Sequence, residues 1–214
     1  MQREDLTGIC ERIRGRFDGK DAARERALDL SREVIRNAAD TIRAVHRQEF
    51  DQALRLLEGT AAKVRALDET LAGHPDVYYA GFVQDAQKEY AEARITLALI
   101  REEPLPGPEE LGVGDAPYLG GLSEAVGELR RSVLDRIRGS QAEVAERLLA
   151  VMDDIYGQLV SFDYPAAISG NLKRSTDVTR SIIEKTRGDL TNAIRQQHLE
   201  TELRRLEHRL EEGQ

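Results

Sequence analysis

Apolar side chains return in steps of three and four along almost the whole chain, and this spacing constrains the fold more than any other feature of the sequence. A period near 3.6 residues gathers those side chains on one face of an α-helix, whereas a half-buried strand would need strict alternation. The first clear stretch covers about residues 21–46, after a helical lead-in before Gly19, and aligns Ala27, Leu30, Val34, Ala38, Thr41, Ile42 and Val45. A second, over about 49–71, aligns Phe50, Ala53, Leu54, Leu57, Ala61, Val64, Leu67 and Leu71 before Gly73, His74 and Pro75 stop it. A third runs over about 77–101 with Phe82, Ala86, Ala93, Leu97 and Ile100 on one side. Prolines at 104, 106 and 108, followed by Gly112, Gly114 and Pro117, then impose the one long loop.

Beyond the loop a fourth helix starts near Tyr118 and carries Leu122, Val126, Leu129, Val133 and Ile137 as far as Gly139 and Ser140. A fifth carries Val144, Leu148, Ile155 and Leu159. Pro165 suits the first turn of a long last segment through Ile168, Leu172, Ile182, Ile183, Leu190 and Ile194, with Gly170 and Gly188 as weak points. Residues 196–214 form a charged C-terminal helix or tail with a sparse stripe of Leu199, Leu203, Leu206 and Leu210, fit to dock on a partner or to fray. No solenoid period is present. The expectation is one all-α domain over residues 1–214, a bundle of about six to seven helices.

Composition narrows the function. Hydrophobic residues make up 40% and charged residues 33% of 214, enough for a core under a heavily charged surface. No run approaches the roughly 18–20 apolar residues of a membrane span, and the N-terminus lacks a signal-peptide core. Cys10 is the only cysteine, so no intrachain disulfide forms; a cytoplasmic protein with an inert thiol is expected. The net charge of -8 argues against a general DNA-coating protein, but the charge is uneven. From His74 to Ala116 nine acids stand against three bases, and from Asn171 to Arg195 six bases against three acids. An acidic centre with a basic flank suits metal-assisted chemistry on a polyanion, and equally an ordinary solvated surface.

Phosphate-binding glycine loops, His-Glu-x-x-His and Cys-x-x-Cys are all absent, and the four histidines lack zinc-ligand spacing. Chemistry, if present, rests on carboxylates. Glu89 and Glu92 stand at i,i+3 and Glu124 and Glu128 at i,i+4, so each pair shares a helix face. Facing each other, the pairs would offer four hard oxygen ligands to one or two Mg²⁺ or Mn²⁺ ions. Against this, 39 acids in the chain make such pairs common by chance. Helix phase puts Glu89 within the apolar stripe of the third helix and Glu92 about 60° off it. Glu124 points away from its own helix's stripe, towards either a cavity or solvent, with Gly120, Gly121 and Gly127 leaving room for a close neighbour.

Seven short segments, in order, carry a family resemblance. Arg26-Ala-Leu-Asp-Leu-Ser-Arg-Glu33 with Thr41-Ile-Arg-Ala-Val-His-Arg47 resembles the first long helix of the translin and Trax proteins. Glu89-Tyr-Ala-Glu-Ala93 is similar to the Glu-Tyr-Val-Glu-Ala signature of Trax, and Tyr118-Leu-Gly-Gly-Leu-Ser-Glu-Ala-Val-Gly-Glu-Leu-Arg-Arg131 to a Tyr-Leu-x-Gly-Leu-x-Asp-x-x-Gly-Glu-Leu run. Asp163-Tyr-Pro165, Leu172-Lys-Arg-Ser-Thr-Asp-Val178 and Ile183-Glu-Lys-Thr-Arg-Gly-Asp189 resemble the C-terminal helix of Trax-like, archaeal-type subunits. The match is best over residues 21–195.

That resemblance implies a seven-helix fold assembling into a hollow, usually octameric barrel, and a Mg²⁺-dependent endoribonuclease acting on single-stranded RNA. It places the catalytic and metal-binding acids on Glu89, Glu92, Glu124 and Glu128. At Glu124 the family has Asp, one methylene shorter. For nucleic-acid binding it singles out basic residues of the matched segments: Arg130, Arg131, Lys173, Arg174, Lys185 and Arg187. Tyr78, Tyr79, Phe82 and Tyr90 are the aromatics nearest the acids, expected mainly in the core or an interface. Three readings follow: the nuclease, a binder of single-stranded RNA or DNA without catalysis, and a helical scaffold. A homo-oligomer, with or without a translin-type subunit, is expected for the first two.

Overall fold

The computed structural model describes residues 3–212, with the backbone alone for residues 3–5, 211 and 212. Among the described residues there are nine helices and no strand. Six are long: α1 (Arg3–His46), α2 (Phe50–Leu71), α4 (Gly81–Ile100), α6 (Asp115–Arg138), α7 (Ala142–Val160) and α9 (Leu172–Glu212). The other three, α3 (Pro75–Tyr78), α5 (Pro108–Leu111) and α8 (Ala166–Ser169), are single turns in the connections. No helix among the described residues is long and apolar enough to cross a membrane.

The all-α expectation holds, and the helix boundaries shift for identifiable reasons. The lead-in before Gly19 is part of α1, one continuous helix of 44 residues. The expected third helix is interrupted at Tyr79 and Ala80, so Gly81 opens α4. The expected last segment is two helices, because Gly170 takes φ +62°, ψ -136°, a conformation open essentially to glycine alone, and separates α8 from α9. Residues 196–212 continue α9 without interruption.

Three hairpin or loop entries share a termination in which a residue other than glycine takes the left-handed position. Gln48, Glu102 and Ser140 each take a left-handed φ of 56–62° just past α1, α4 and α6. The following residues then return their N–H groups to the last helical turn: Glu49 to the Ala44 carbonyl at 2.9 Å, Glu103 to Ala98 at 2.9 Å, and Gln141 to Arg136 at 2.9 Å. These bonds satisfy carbonyls the helix end leaves open, offsetting the ~1 kcal/mol or more that a side chain in this backbone region costs.

α4 is the hub: it packs on α1, α2 and α6, and α6 in turn packs on α7 and α9. The stripes of α1 and α6 reach the core as expected, with Ala27, Val34, Ala38, Leu122, Val126, Leu129 and Val133 buried. Leu54 does not, remaining 39% exposed, and neither does Ile168. α6 and α9 run parallel, tied by a buried Ser123–Thr179 hydrogen bond of 2.8 Å and, seven residues on, by Arg130 donating to Thr186 at 2.9 Å and Asp189 at 2.7 Å. A polar relay pins the loop to the hub: Tyr78 bonds Asp68, Gln87 Nε2 donates to the Tyr78 hydroxyl at 2.9 Å, and the Gly114 amide donates to Gln87 Oε1 at 3.3 Å. That bond holds the residue capping the start of α6 against α4, and so sets how the two helices register.

Candidate metal centre in a groove between α4, α6 and α9

Close approach of α4 and α6 is the local feature from which the site grows. A Cβ at Gly121 would lie 2.7 Å from the Glu92 amide nitrogen, 2.8 Å from the Lys88 carbonyl and 2.9 Å from the Ala91 Cβ. Only glycine lets the two backbones meet this closely, and the contact falls beside the carboxylates of both helices. Glu89, Glu92 and Glu124 consequently each bring one oxygen within 4.8 Å of the others. Glu128, one turn further along α6, acts electrostatically on Glu92, but its carboxylate is hydrogen-bonded to Nε2 of His46 at the end of α1.

Cations are part of the same cluster. The Lys88 ammonium donates to Glu124 Oε1 at 2.7 Å and lies 3.6 Å from Glu89 Oε1. Glu92 has no such partner. Only 8% exposed, with Glu124, Glu89 and Glu128 around it, its carboxyl is pushed up to about 8, first by burial and then by repulsion from those three acids. Burial likewise raises Glu89, partly offset by Lys88.

Helix phase predicts the reverse order, with Glu89 inside the stripe. The discrepancy follows from the position of α4. Helices α1, α2 and α6 cover so much of it that Val83, Ala86, Gln87, Tyr90, Ala91, Glu92, Ala93, Ile95, Thr96, Leu97 and Ala98 are all buried, and one stripe cannot describe it. Sequence reasoning does not single out Lys88 or His46 as functional residues, although both lie in or beside segments that carry the family resemblance. Their partners are 36 and 82 residues distant, so only helix packing reveals them.

The cluster opens on a groove of about 730 Å³ lined by Asp85, Lys88, Glu92 and Glu124 on one side and Asn171, Arg174, Ser175 and Val178 on the other. Here the first turn of α9, whose leading N–H groups lack helical partners, faces the acids. Of the six basic residues implied by the resemblance, Arg174 lies in this groove and makes no ion pair among the described residues. Lys173, exposed beside it, and Lys185 and Arg131 are likewise unpaired. Arg130 is engaged with Thr186 and Asp189, and Arg187 with both Asp153 oxygens at 2.8 and 3.1 Å. Of the aromatics, Tyr90 is buried, Tyr78 and Phe82 pack on the core, and Tyr79 is exposed.

Fold and site together define an all-helical bundle with a carboxylate-lined groove whose opposite wall carries one arginine, Arg174. No family model matches the chain. It is 34% identical over 191 residues to the uncharacterized protein MJ0175 of Methanocaldococcus jannaschii, covering 88% of this chain and 84% of that one. AfC3PO, solved alone and in complex with duplex RNA, superposes with a TM-score of 0.80 at 30% identity, over 86% of this chain and 95–96% of AfC3PO. Apo-NeC3PO superposes with a TM-score of 0.78 at 21% identity, a likeness of fold. The chain belongs to the translin/Trax family.

Proposed function

We propose that this protein binds RNA in the groove between α4, α6 and α9 and cleaves single strands there as a divalent-metal-dependent endoribonuclease, working as a homo-oligomer. The observation that carries the reading is the convergence of Glu89, Glu92 and Glu124 from two helices onto one point facing an unpaired arginine. Three carboxylate oxygens within 4.8 Å span little more than twice the ~2.1 Å Mg–O bond, and hard oxygen donors suit Mg²⁺ or Mn²⁺. The carboxyl of Glu92 fits the same purpose, since a cation would offset the burial and the repulsion from neighbouring acids that keep it protonated. One or two ions held there would supply an activated water and offset charge developing on a phosphodiester.

The chain's own residues bind and orient. Arg174, Lys173 and the first turn of α9 would seat phosphate oxygens on the wall opposite the acids. Glu128, held by His46, is the fourth acid of the set and shapes the field at Glu92. RNA as the ligand class draws support from AfC3PO, whose complex contains duplex RNA. Assembly draws support from apolar side chains left exposed after α7, on α8 and along α9, among them Phe162, Ile168, Val178 and Leu203.

A second reading, RNA or single-stranded DNA binding without cleavage, is favoured by one observation: an ammonium lies between Glu124 and Glu89. Incubating labelled single-stranded and duplex RNA with wild type and Glu89→Ala, each in Mg²⁺ or EDTA, separates the two. Cleavage of the single strand by wild type in Mg²⁺, lost in EDTA and in the variant while binding persists, is the expected result. Cleavage that survives Glu89→Ala removes the catalytic assignment, and binding with no cleavage leaves the second reading.

A further inference from the structure

Among the described residues Lys88 is the one cation inside the acid cluster, and its surroundings suit it to move. Its ammonium bonds Glu124 Oε1 of α6 and lies near Glu89 Oε1 of its own helix, the two acids that with Glu92 would hold a divalent ion. These oxygens cannot serve both cations at once. An ion coordinated by Glu89 and Glu124 would sit within a few ångströms of Nζ, where like charges repel strongly in a half-buried site. The lysine stem lies over Gly120, its Cγ and Cδ 3.1 Å from where a Cβ would stand, so a residue with a side chain there would crowd it. Rotation about its Cγ–Cδ and Cδ–Cε bonds would swing the ammonium away from the acids, and Lys88 lines the open groove in company with Asp85, opposite Arg174 and Ser175.

We propose that Lys88 is a built-in competitor for the divalent ion: its ammonium holds the carboxylate cluster together in the metal-free protein, and an incoming ion displaces it into the groove, where it contacts an RNA phosphate. This inference rests on the reading of the cluster as a metal centre. The consequence is coupling. An RNA phosphate in the groove gives the expelled ammonium a partner, so RNA tightens ion binding, and by thermodynamic reciprocity the ion tightens RNA binding by the same factor. The family resemblance supplies the acids; the lysine is identified by its contacts in the groove.

The test measures Mn²⁺ binding to the full chain by titration calorimetry, with and without a non-cleavable 2′-O-methyl RNA single strand. Wild type, Lys88→Met, Lys88→Arg and Glu89→Ala are compared. Lys88→Met keeps the stem on Gly120 and removes the charge, so it is expected to bind Mn²⁺ about tenfold more tightly than wild type in the absence of RNA. RNA should tighten Mn²⁺ binding several-fold in wild type and leave Lys88→Met unchanged, while Lys88→Arg should retain weaker binding and the coupling. Mn²⁺ affinity in Lys88→Met equal to or below that of wild type, with both losing it on Glu89→Ala, overturns the competition and leaves the metal centre standing. No Mn²⁺ binding in any protein, or binding indifferent to Glu89→Ala, overturns the metal centre itself and the inference with it. A thermal melt of Lys88→Met matching wild type establishes that a null result is not a folding defect.

Discussion

Helices α4 and α6 each contribute two glutamates to one site, yet they treat them differently. Both α6 acids have a nitrogen partner from another helix: Glu124 bonds Lys88 of α4, and Glu128 bonds His46 of α1. On α4, Glu89 shares the same lysine at a longer distance, and Glu92 has no partner. The difference does not come from composition, which is two acids each. It comes from geometry: α4 lies between α1, α2 and α6, and Glu92, at the edge of the groove, is left only 8% exposed, while the Glu124 side chain is 39% exposed. A carboxyl that is buried, crowded by other acids and left without a cation holds its proton, and it is there that an added cation would gain most.

The whole contrast depends on the two helix backbones touching, so separating them should break it most thoroughly. Gly121→Val places methyl groups where backbone atoms of Glu92 and Lys88 already stand. The expected cost is about 3 kcal/mol or more, read as a lowered midpoint in urea denaturation. Gly127 lies on the same helix with nothing within 4 Å of where a Cβ would stand, so Gly127→Ala should instead stabilise by ~0.5–1 kcal/mol. If both variants moved stability in the same direction and by a similar amount, the seam would not be the determinant claimed for it.

Next in size is the pH dependence of Glu92. Its carboxyl titrates at about 8 in the folded protein against 4.5 in the unfolded chain. Below pH 4.5 it is protonated in both states and contributes nothing. Between 4.5 and about 8 the unfolded chain ionises while the folded protein keeps its proton, so stability falls as pH rises through that window. Above about 8 both are ionised and the full penalty remains. Glu92→Gln removes the titration and should be more stable than wild type at pH 8.5, by on the order of 2 kcal/mol once contact with groove solvent is allowed for, and nearly equal at pH 4.5. Glu124→Gln, which deprives Lys88 of its partner, should gain nothing comparable. Denaturation curves in EDTA at pH 5, 7 and 8.5 decide it, and parallel curves for wild type and Glu92→Gln would refute the assigned asymmetry.

How much of this is legible in the sequence varies with how each helix is packed. α1 and α6 can be read from their stripes because each has an identifiable solvent side; Val34, Ala38, Val126 and Leu129 fall where a 3.6-residue period puts them. α4 cannot, since burial over most of its circumference weakens the contrast that a period depends on, and helix phase ranks Glu92 behind Glu89 for that reason. Chain reversals are most legible where proline or glycine marks them. Gln48 and Glu102 end their helices through left-handed backbone that their side chains do not advertise. At the site, the resemblance supplies four acids, where spacing alone leaves them as chance pairs among many. What it does not supply is their partners. Lys88 precedes Glu89, and His46 closes a matched segment, but a residue's adjacency in the chain says nothing about which oxygen it reaches 36 or 82 positions away.

The smallest expected effect carries the paired-versus-unpaired contrast from acids to cations. Arg187 is already committed to both oxygens of Asp153, whereas Arg174 lies in the groove without an ion pair. To bind a phosphate, Arg187 must leave one anion for another, so its net contribution is small; Arg174 exchanges only water and counterions. Arg174→Ala should therefore weaken binding of a single-stranded RNA by about three- to tenfold at moderate salt and lower the slope of log affinity against log salt by ~1. Arg187→Ala should change affinity by less than about twofold and leave the slope intact. Fluorescence anisotropy over a salt series, in EDTA so that no cleavage intervenes, reads both quantities. Equal losses from the two variants would mean that RNA follows the outer face of α9 near Arg187 as closely as the groove, and the acids would then no longer face the bound strand.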